Sequence, residues 1–542
     1  MSAECYPITI LPHVSQLYRG YLAMGDSPAD AAVRRWFGAE PFGGRWMRAA
    51  GDGSALTEVD AGRLADTLAR QSVEFGAGTA AMANIEKLRA GARAVVTGQQ
   101  VGLFGGPLLT LLKAATAIAR AKEATRASGV EHVPIFWLAT EDHDLAEVDQ
   151  VSLLTKTGVE TLRAGLKTKA AVEVGGIVLG NEIEPLLEQA GELLGFAPVW
   201  DTLRECYADG QTLGGAFARL MARLFAEQGL IVMDAASREF HSLGARALRY
   251  AIEHADELQG ALMARTEELA SAGFHAQVLV AAEGSLLFLV DEATGERMAL
   301  RRGTEGEWRA GGRFYTTAEL VAILESEPER LSPNALLRPV FQDTILPTAA
   351  YVGGPSEIAY FAQSAVLYEA ILGRITPVLP RLSATVLDPA IATVMATHEI
   401  QLPDAMTTAE ELGQRLGARA MPIEAKRKLA AAGNALEAAL TAAIDYMGRM
   451  DESLGRTAEV SGSKMRYQME RLRRMAASFE LQKDASLGKH ATAITLNVFP
   501  DGHPQERVIA GVWFLARQGE ALVERLVAEA ANLCPGHVVI RA

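Results

Sequence analysis

Cysteine is scarce in this chain. The 542 residues contain only Cys5, Cys206 and Cys534. No C-x-x-C pair occurs and no histidines lie nearby at zinc-site spacing, so a cysteine-rich zinc site is not expected and a reducing compartment is. Positive charge is in deficit as well: 52 Lys and Arg stand against 66 Asp and Glu, for a net charge of −14. That balance excludes a general affinity for nucleic acid or an anionic membrane, while leaving room for a local basic pocket that takes a small anion. No uninterrupted apolar run reaches membrane-spanning length. The opening MSAECYPITILPHVSQLYRG has no basic segment followed by an apolar one, so the expected location is the cytoplasm. Neither G-x-G-x-x-G nor G-x-x-x-x-G-K-[ST] spacing occurs at the principal glycine turn, so the glycines name no nucleotide. What is present is 49% hydrophobic and 22% charged, enough for a large core in two or three domains.

The stretch around which the chain is organised runs from Ala94 to Ala124. Ala94, Val95 and Val96 form a short apolar run suited to a buried parallel strand, and Gly98, Gly102, Gly105 and Gly106 allow the backbone to turn. Pro107 suits a first helical position, and Leu108, Leu111, Leu112, Ala115, Ile118 and Ala119 follow at helical spacing. The amino end of that helix is a natural anion site. Thr97, Gly98, Gln99, Gln100, Gly105 and Gly106 are therefore candidates for phosphate or substrate contacts, with Lys113 nearly two turns farther in.

A second apolar strand, His132 to Ala139, completes a βαβ unit and runs directly into Glu141, Asp142, His143 and Asp144. Ligands bind at the carboxyl ends of such strands. A carboxylate beside a histidine there can act as general base or hold an amine. Strand-like runs at 172–179, 230–234, 277–281 and 286–290 continue the α/β pattern with insertions, and His241, His254 and His275 among them read as ordinary surface or core histidines.

The segment from Leu331 to Thr385 repeats the logic. A strand over 340–342 preceded by Arg338, a strand over 349–352 ending in Gly353-Gly354-Pro355-Ser356-Glu357, a helix from Ile358, and a strand over 377–379 leading to Arg381 and Ser383 are expected. Both arginines suit carboxylate or phosphate. From about Asp388 helices take over. Ile444, Asp451, Ala458, Met465, Leu472 and Phe479 recur every seven residues, with Met447, Leu454, Ser461, Gln468, Met475 and Gln482 at companion positions, a coiled-coil seam with half its companions polar. Gly448, Gly455 and Gly462 suggest a turn between antiparallel helices near 459–463. The divisions expected are a core over 1–387, a helical domain over 388–483, and a segment over 484–542 that returns to the core.

Four motifs in this order, TGQQVGLFGGPLLTLLKA at 97, VPIFWLATEDHD at 133, LSPNALLRPVFQDTILPTAAYVGGPSEIAY at 331 and FPDGHPQER at 499, closely resemble the cysteine-adding enzyme family of bacillithiol biosynthesis, BshC. Two departures are GGPSE at 353, where GGPGE or similar is expected, and ATAITLN after Lys489-His490. The resemblance implies an α/β, Rossmann-like core with inserted connecting segments, related to class I aminoacyl-tRNA synthetases, and a C-terminal helical coiled-coil domain that forms a homodimer. It implies a ligase that joins the cysteine carboxylate to the amine of glucosaminyl-malate. ATP and Mg2+ are implied by that chemistry and by no motif; no zinc or other metal site, nucleic acid or membrane partner is expected. In this scheme the 97–100 turn and the helix terminus hold phosphate or carboxylate. Glu141, Asp142, His143 and Asp144 position the amine and take its proton. Arg338 and Arg381 balance negative charge, Asn334, Gln342, Asp343, Glu357 and Tyr360 supply orientation, and Gly354 and Ser383 are further candidates for substrate or phosphate contacts. Lys489, Asn497 and Arg507 form a second candidate nucleotide contact. The competing readings are another adenylate-forming or nucleotidyl-transfer enzyme, or a non-catalytic dimeric nucleotide-binding partner of a pathway enzyme.

Overall fold

The computed structural model describes residues 4–24, 31–48, 58–281, 283–303 and 306–541. They fall into two compact units. One holds 1–153, 160–386 and 506–540; the other holds 154–159, 387–505 and 541–542.

The first unit is built on a parallel sheet of five strands: β1 (Arg93–Gln100), β2 (His132–Ala139), β3 (Ile231–Asp234), β4 (Thr348–Gly353) and β5 (Val378–Pro380), in the order β5-β4-β1-β2-β3. The strands are short runs buried on both faces, as a parallel sheet covered by helices requires. The chain moves outward from β1 through β2 to β3, then returns to the other side of β1 for β4 and β5. The switch point therefore lies between β1 and β4, where an open α/β sheet leaves its ligand crevice.

Helix α1 (Leu109–Ser128) crosses from β1 to β2. It is enclosed on nearly every side, where a single buried face was expected. The helix Ala521–Ala530, from the end of the chain, covers its outer side, and Arg120 donates to the Ala530 carbonyl at 2.8 Å. Further helices of this unit are α2 (Arg238–Glu253), α3 (Arg338–Ile345) and α4 (Pro355–Leu372). Residues 340–342, expected as a strand, belong to α3, which begins with Pro339 in its first turn and Asn334 accepting the Leu336 and Leu337 amides at 3.0 and 3.1 Å. Two other expected strands, 172–179 and 277–281, are absent. The first is a single 3-10 turn, Val174–Gly176, whose Val174 and Gly175 amides donate to the Asp142 and Thr140 carbonyls at 2.7 and 2.9 Å. A second, antiparallel sheet instead joins Gly284–Val290 to Arg297–Arg302 on one side and Leu331–Pro333 on the other.

Cys5 and Cys534 are disulfide-bonded, with Cα atoms 5.9 Å apart, whereas Cys206 is buried and free. The sequence reading, a reducing compartment with no cysteine-rich zinc site, named no disulfide, and the structure adds this one. The strand Glu4–Tyr6 pairs antiparallel with His537–Arg541, bringing together cysteines 529 residues apart, which no spacing pattern reveals.

The second unit is helical, with α5 (Ala409–Ala420), α6 (Ile423–Met450), α7 (Glu452–Lys483) and α8 (Ala485–Val498). The turn of the long hairpin is at Asp451, not at 459–463. Its extended backbone breaks the helix, and its carboxylate caps α7 by accepting the Ser453 and Leu454 amides at 2.8 and 3.0 Å. The glycines mark close helix contact instead: a Cβ at Gly455 would stand 2.7 Å from the Gly448 Cα, and one at Gly462 2.9 Å from Ile444 Cδ1. The unit also continues past Lys483. Asp484 caps α8 through the Ser486 amide, and α8 packs on α5, so the segment belonging to the core starts at Glu506 rather than 484.

Candidate active site

A cavity of about 580 Å³ opens at the carboxyl ends of β1, β2 and β4. Gly98, Gln99 and Gln100 form its floor beside the switch point. Only glycine fits at 98, because a Cβ there would approach the Trp137 carbonyl oxygen to 2.7 Å.

One wall is cationic. Lys113 reaches back along α1 to the cavity and donates to the Gly98 carbonyl at 2.6 Å and to Gln99 Oε1 at 3.0 Å, while forming an ion pair with Glu357. Glu357 also accepts from the Tyr351 hydroxyl at 2.6 Å and from the Gly354 amide at 2.8 Å. Burial pushes its carboxyl up, but Lys113 and these donors outweigh burial and hold it below the usual carboxylate range. Arg338, on the first turn of α3, donates to the Tyr360 hydroxyl at 2.7 Å. Arg381, at the end of β5, pairs with the buried Glu506 at 2.6 Å, and Arg507 completes the wall. Four cations thus face two carboxylates, Glu357 and Glu506. This excess, together with the fork-shaped donors of three arginines, suits a phosphate or carboxylate, so the residues fit the anionic portion of a nucleotide or an acidic substrate.

The facing wall carries Glu141, Asp142 and His143. Gln100 Nε2 donates to Asp142 Oδ2 at 2.6 Å, and the other Asp142 oxygen accepts the His143 amide at 2.7 Å. Asp142 is thereby committed to shaping the loop. His143 Nδ1 lies 3.2 Å from Arg297 Nη1. An arginine can only donate, so Nδ1 accepts and the ring proton is assigned to Nε2. Arg297 is fixed in turn by Ser332 Oγ at 3.0 Å, the Pro333 carbonyl at 3.1 Å and the Phe288 ring, 3.7 Å away.

Several sequence candidates have structural duties instead. Thr97 donates to the Val352 carbonyl at 2.8 Å, tying β1 to β4. Gly105 and Gly106 form the turn before α1, away from the cavity lining. The amino end of α1 is not an open anion site: the Leu108 amide bonds to the Ile509 carbonyl at 2.8 Å, and the Gly511 amide to the Gly106 carbonyl at 3.1 Å. Asp144 caps the short helix Leu145–Val148. Gln342 and Asp343 bond to each other within α3, where Asp343 also accepts from Tyr368, and Ser383 bonds to Glu506 and His537. Gly354, Glu357, Tyr360, Asn334, Arg338 and Arg381 do line the cavity. Of the second candidate contact, only Arg507 lines it; Lys489 and Asn497 lie on α8 of the helical unit.

Sequence reasoning missed Arg297 and Phe288, which the antiparallel insertion delivers, and two groups that act on Glu141, the buried His241 and the half-buried Glu173. His241 Nε2 lies 2.8 Å from Glu141 Oε1. Glu173 is pushed up to about 8, by burial first and then by Glu141. A lone acid within the apolar run 172–179 is the one signal the sequence held for Glu173.

A parallel sheet with a switch-point cavity whose cationic and acid–histidine walls face one another defines a Rossmann-like enzyme carrying a helical coiled-coil domain. Residues 5–382 match the family model for the bacillithiol biosynthesis BshC N-terminal Rossmann-like domain, and residues 384–542 match that for its C-terminal coiled-coil domain. The chain belongs to the BshC family, within the carbon–nitrogen ligases. It is 40% identical to the protein named "Putative cysteine ligase BshC" from Koribacter versatilis over the whole of both chains. Relatives of the same name from Solibacter usitatus and Salinibacter ruber are 37% and 32% identical, covering 83% and 90% of this chain and 84% and 91% of theirs.

Proposed function

We propose that this chain forms an amide between the carboxylate of cysteine and the amine of glucosaminyl-malate, completing bacillithiol in the cytoplasm. The observation that carries the reading is the opposition of the two walls in one cavity. A ligase must hold anions, the activating phosphates and the malate carboxylates, while it orients an amine and removes its proton. Lys113, Arg338, Arg381 and Arg507 supply the first requirement; for the second, Glu141 takes the proton while His143 orients the amine by donating from Nε2. A free carboxylate is a poor acylating agent, so in the proposed reaction its oxygen attacks a phosphorus of Mg-ATP, forming a mixed anhydride as a phosphoanhydride bond breaks and ADP or pyrophosphate leaves. The amine then attacks that carbonyl, the bond to the phosphate oxygen breaks, and the amine proton passes to the acid–histidine wall. The relatives' names support cysteine as a substrate.

A homodimer is proposed through the coiled coil. Met465, Leu472, Met475 and Phe479 are 51, 53, 60 and 64% exposed along α7, an apolar seam that a second copy would cover.

The test is mass-spectrometric detection of product from purified protein, cysteine and glucosaminyl-malate, with and without Mg-ATP. Product that depends on ATP, with release of AMP or ADP, is expected. No product under either condition would overturn the ligase reading in favour of a binding partner of another pathway enzyme.

A further inference from the structure

His241 is fully enclosed on α2 and hydrogen-bonded through both ring nitrogens: Nδ1 lies 3.1 Å from the Pro328 carbonyl oxygen and Nε2 2.8 Å from Glu141 Oε1. A carbonyl can only accept, so Nδ1 carries a proton. One more proton occupies the Nε2–Oε1 bond, and its position decides whether the pair is imidazolium with carboxylate or imidazole with carboxyl. The surroundings decide for the charged form. Glu173 interacts electrostatically with Glu141 and His241, and its Oε1 is buried without a hydrogen-bond partner. Asp234, which takes the Thr140 hydroxyl, and Arg297 are the other charged groups felt there. Burial opposes protonation of His241, but the charge of Glu141 and its hydrogen bond to Nε2 lead the opposing causes, and the ring titrates above its ordinary range. Glu141, unlike His241, lines the cavity.

We propose that His241 is a positioning residue: doubly protonated between the Pro328 carbonyl and Glu141, it fixes Glu141 as a carboxylate on the cavity wall, where that carboxylate holds the acceptor amine. This rests on the amide-forming reading above. The fixed negative charge selects an ammonium-bearing acceptor before the amine is deprotonated, and it shares its part of the cavity lining with Arg297. Asp142 is unsuited to the same task because Gln100 and the loop amides already occupy its oxygens.

The experiment compares His241→Gln, Glu141→Gln and the double variant. Glutamine at 241 retains a donor to Glu141 without the charge. His241→Gln is expected to move the acidic limb of the kcat/KM profile for the amine upward by at least one pH unit, and to raise KM for the amine more than it lowers kcat. The double variant is expected to be no worse than Glu141→Gln alone. A uniform loss of kcat with the limb in place, or losses that multiply in the double variant, would overturn the proposal. Nitrogen-15 spectra of histidine-labelled protein give a readout independent of turnover, with His241 assigned by its disappearance in His241→Gln. Both of its nitrogens are expected to be protonated at pH 7.5 in the wild type, and one to be unprotonated in Glu141→Gln. A neutral wild-type ring would refute the dyad. If the wild type forms no amide while its ring is doubly protonated, the ligase reading fails and the dyad stands.

Discussion

Acidification should destabilise the core through His537, whose side chain links the last strand to the base of the cationic wall. His537 is fully buried, with Nδ1 2.8 Å from Ser383 Oγ and Nε2 2.8 Å from Thr385 Oγ1. Ser383 also donates to Glu506, the partner of Arg381. Burial holds the ring down to about 4 from its ordinary 6.5. The folded state therefore binds the proton less readily than the unfolded chain. The stability this confers is complete above 6.5, declines as the pH falls below it, and is exhausted below about 4. With those two values, linkage gives a loss of about 2 kcal/mol between pH 7.5 and 5.0, and about 3 kcal/mol in full. His537→Gln keeps one donor and one acceptor for the two hydroxyls and removes the titration. Urea unfolding of both proteins at pH 7.5 and 5.0 isolates the effect, because every other titrating group is common to the pair. The wild type should lose about 2 kcal/mol more than the variant over that interval. Equal losses, to within about 0.5 kcal/mol, would refute the reasoning.

Glu357→Gln leaves Lys113 enclosed with no counterion at Glu357 and should cost about 3–5 kcal/mol in urea unfolding, with Lys113→Met in the same chain restoring much of it; a single-variant cost below about 1 kcal/mol would contradict the buried pair. Cys5→Ser should lower stability by about 2–5 kcal/mol relative to the oxidised protein. Peptide mapping without reductant should recover Cys5 linked to Cys534, and alkylation of both thiols in unreduced protein would count against the bridge. Met475→Glu with Phe479→Glu should halve the mass measured by light scattering, whereas a wild-type monomer would rule out dimerisation through this seam.

Elements with strong local signatures were legible. The β1 and β2 runs, the helix between them, the turn at 353–357 and the heptad pattern each combine an apolar period with punctuation by glycine, proline or a cap. The sequence also located the cavity, because strand ends carrying Gln99, Gln100, Glu141 and His143 must converge once the strands are parallel. Errors arose where local pattern was ambiguous. Val340 to Gln342 reads as a strand by composition, yet Asn334 and Pro339 start a helix there. Gly448, Gly455 and Gly462 read as a turn, yet they let two helices touch.

Residue types and their order thus determined the α/β class, the helical domain and the stretches that supply the site, since these follow from hydrophobic period and backbone preference within a few residues. Only the tertiary structure decided which side chains act together. Gln342, Asp343 and Ser383 point to partners within the fold, whereas Lys113, Arg297 and His241 reach the cavity or its supporting shell. The Glu141–His241 pair spans 100 residues and Arg381–Glu506 spans 125. The Cys5–Cys534 bridge spans nearly the whole chain. Such pairings depend on strand order and helix packing, which bring distant residues within hydrogen-bonding reach and leave no periodic trace in the sequence.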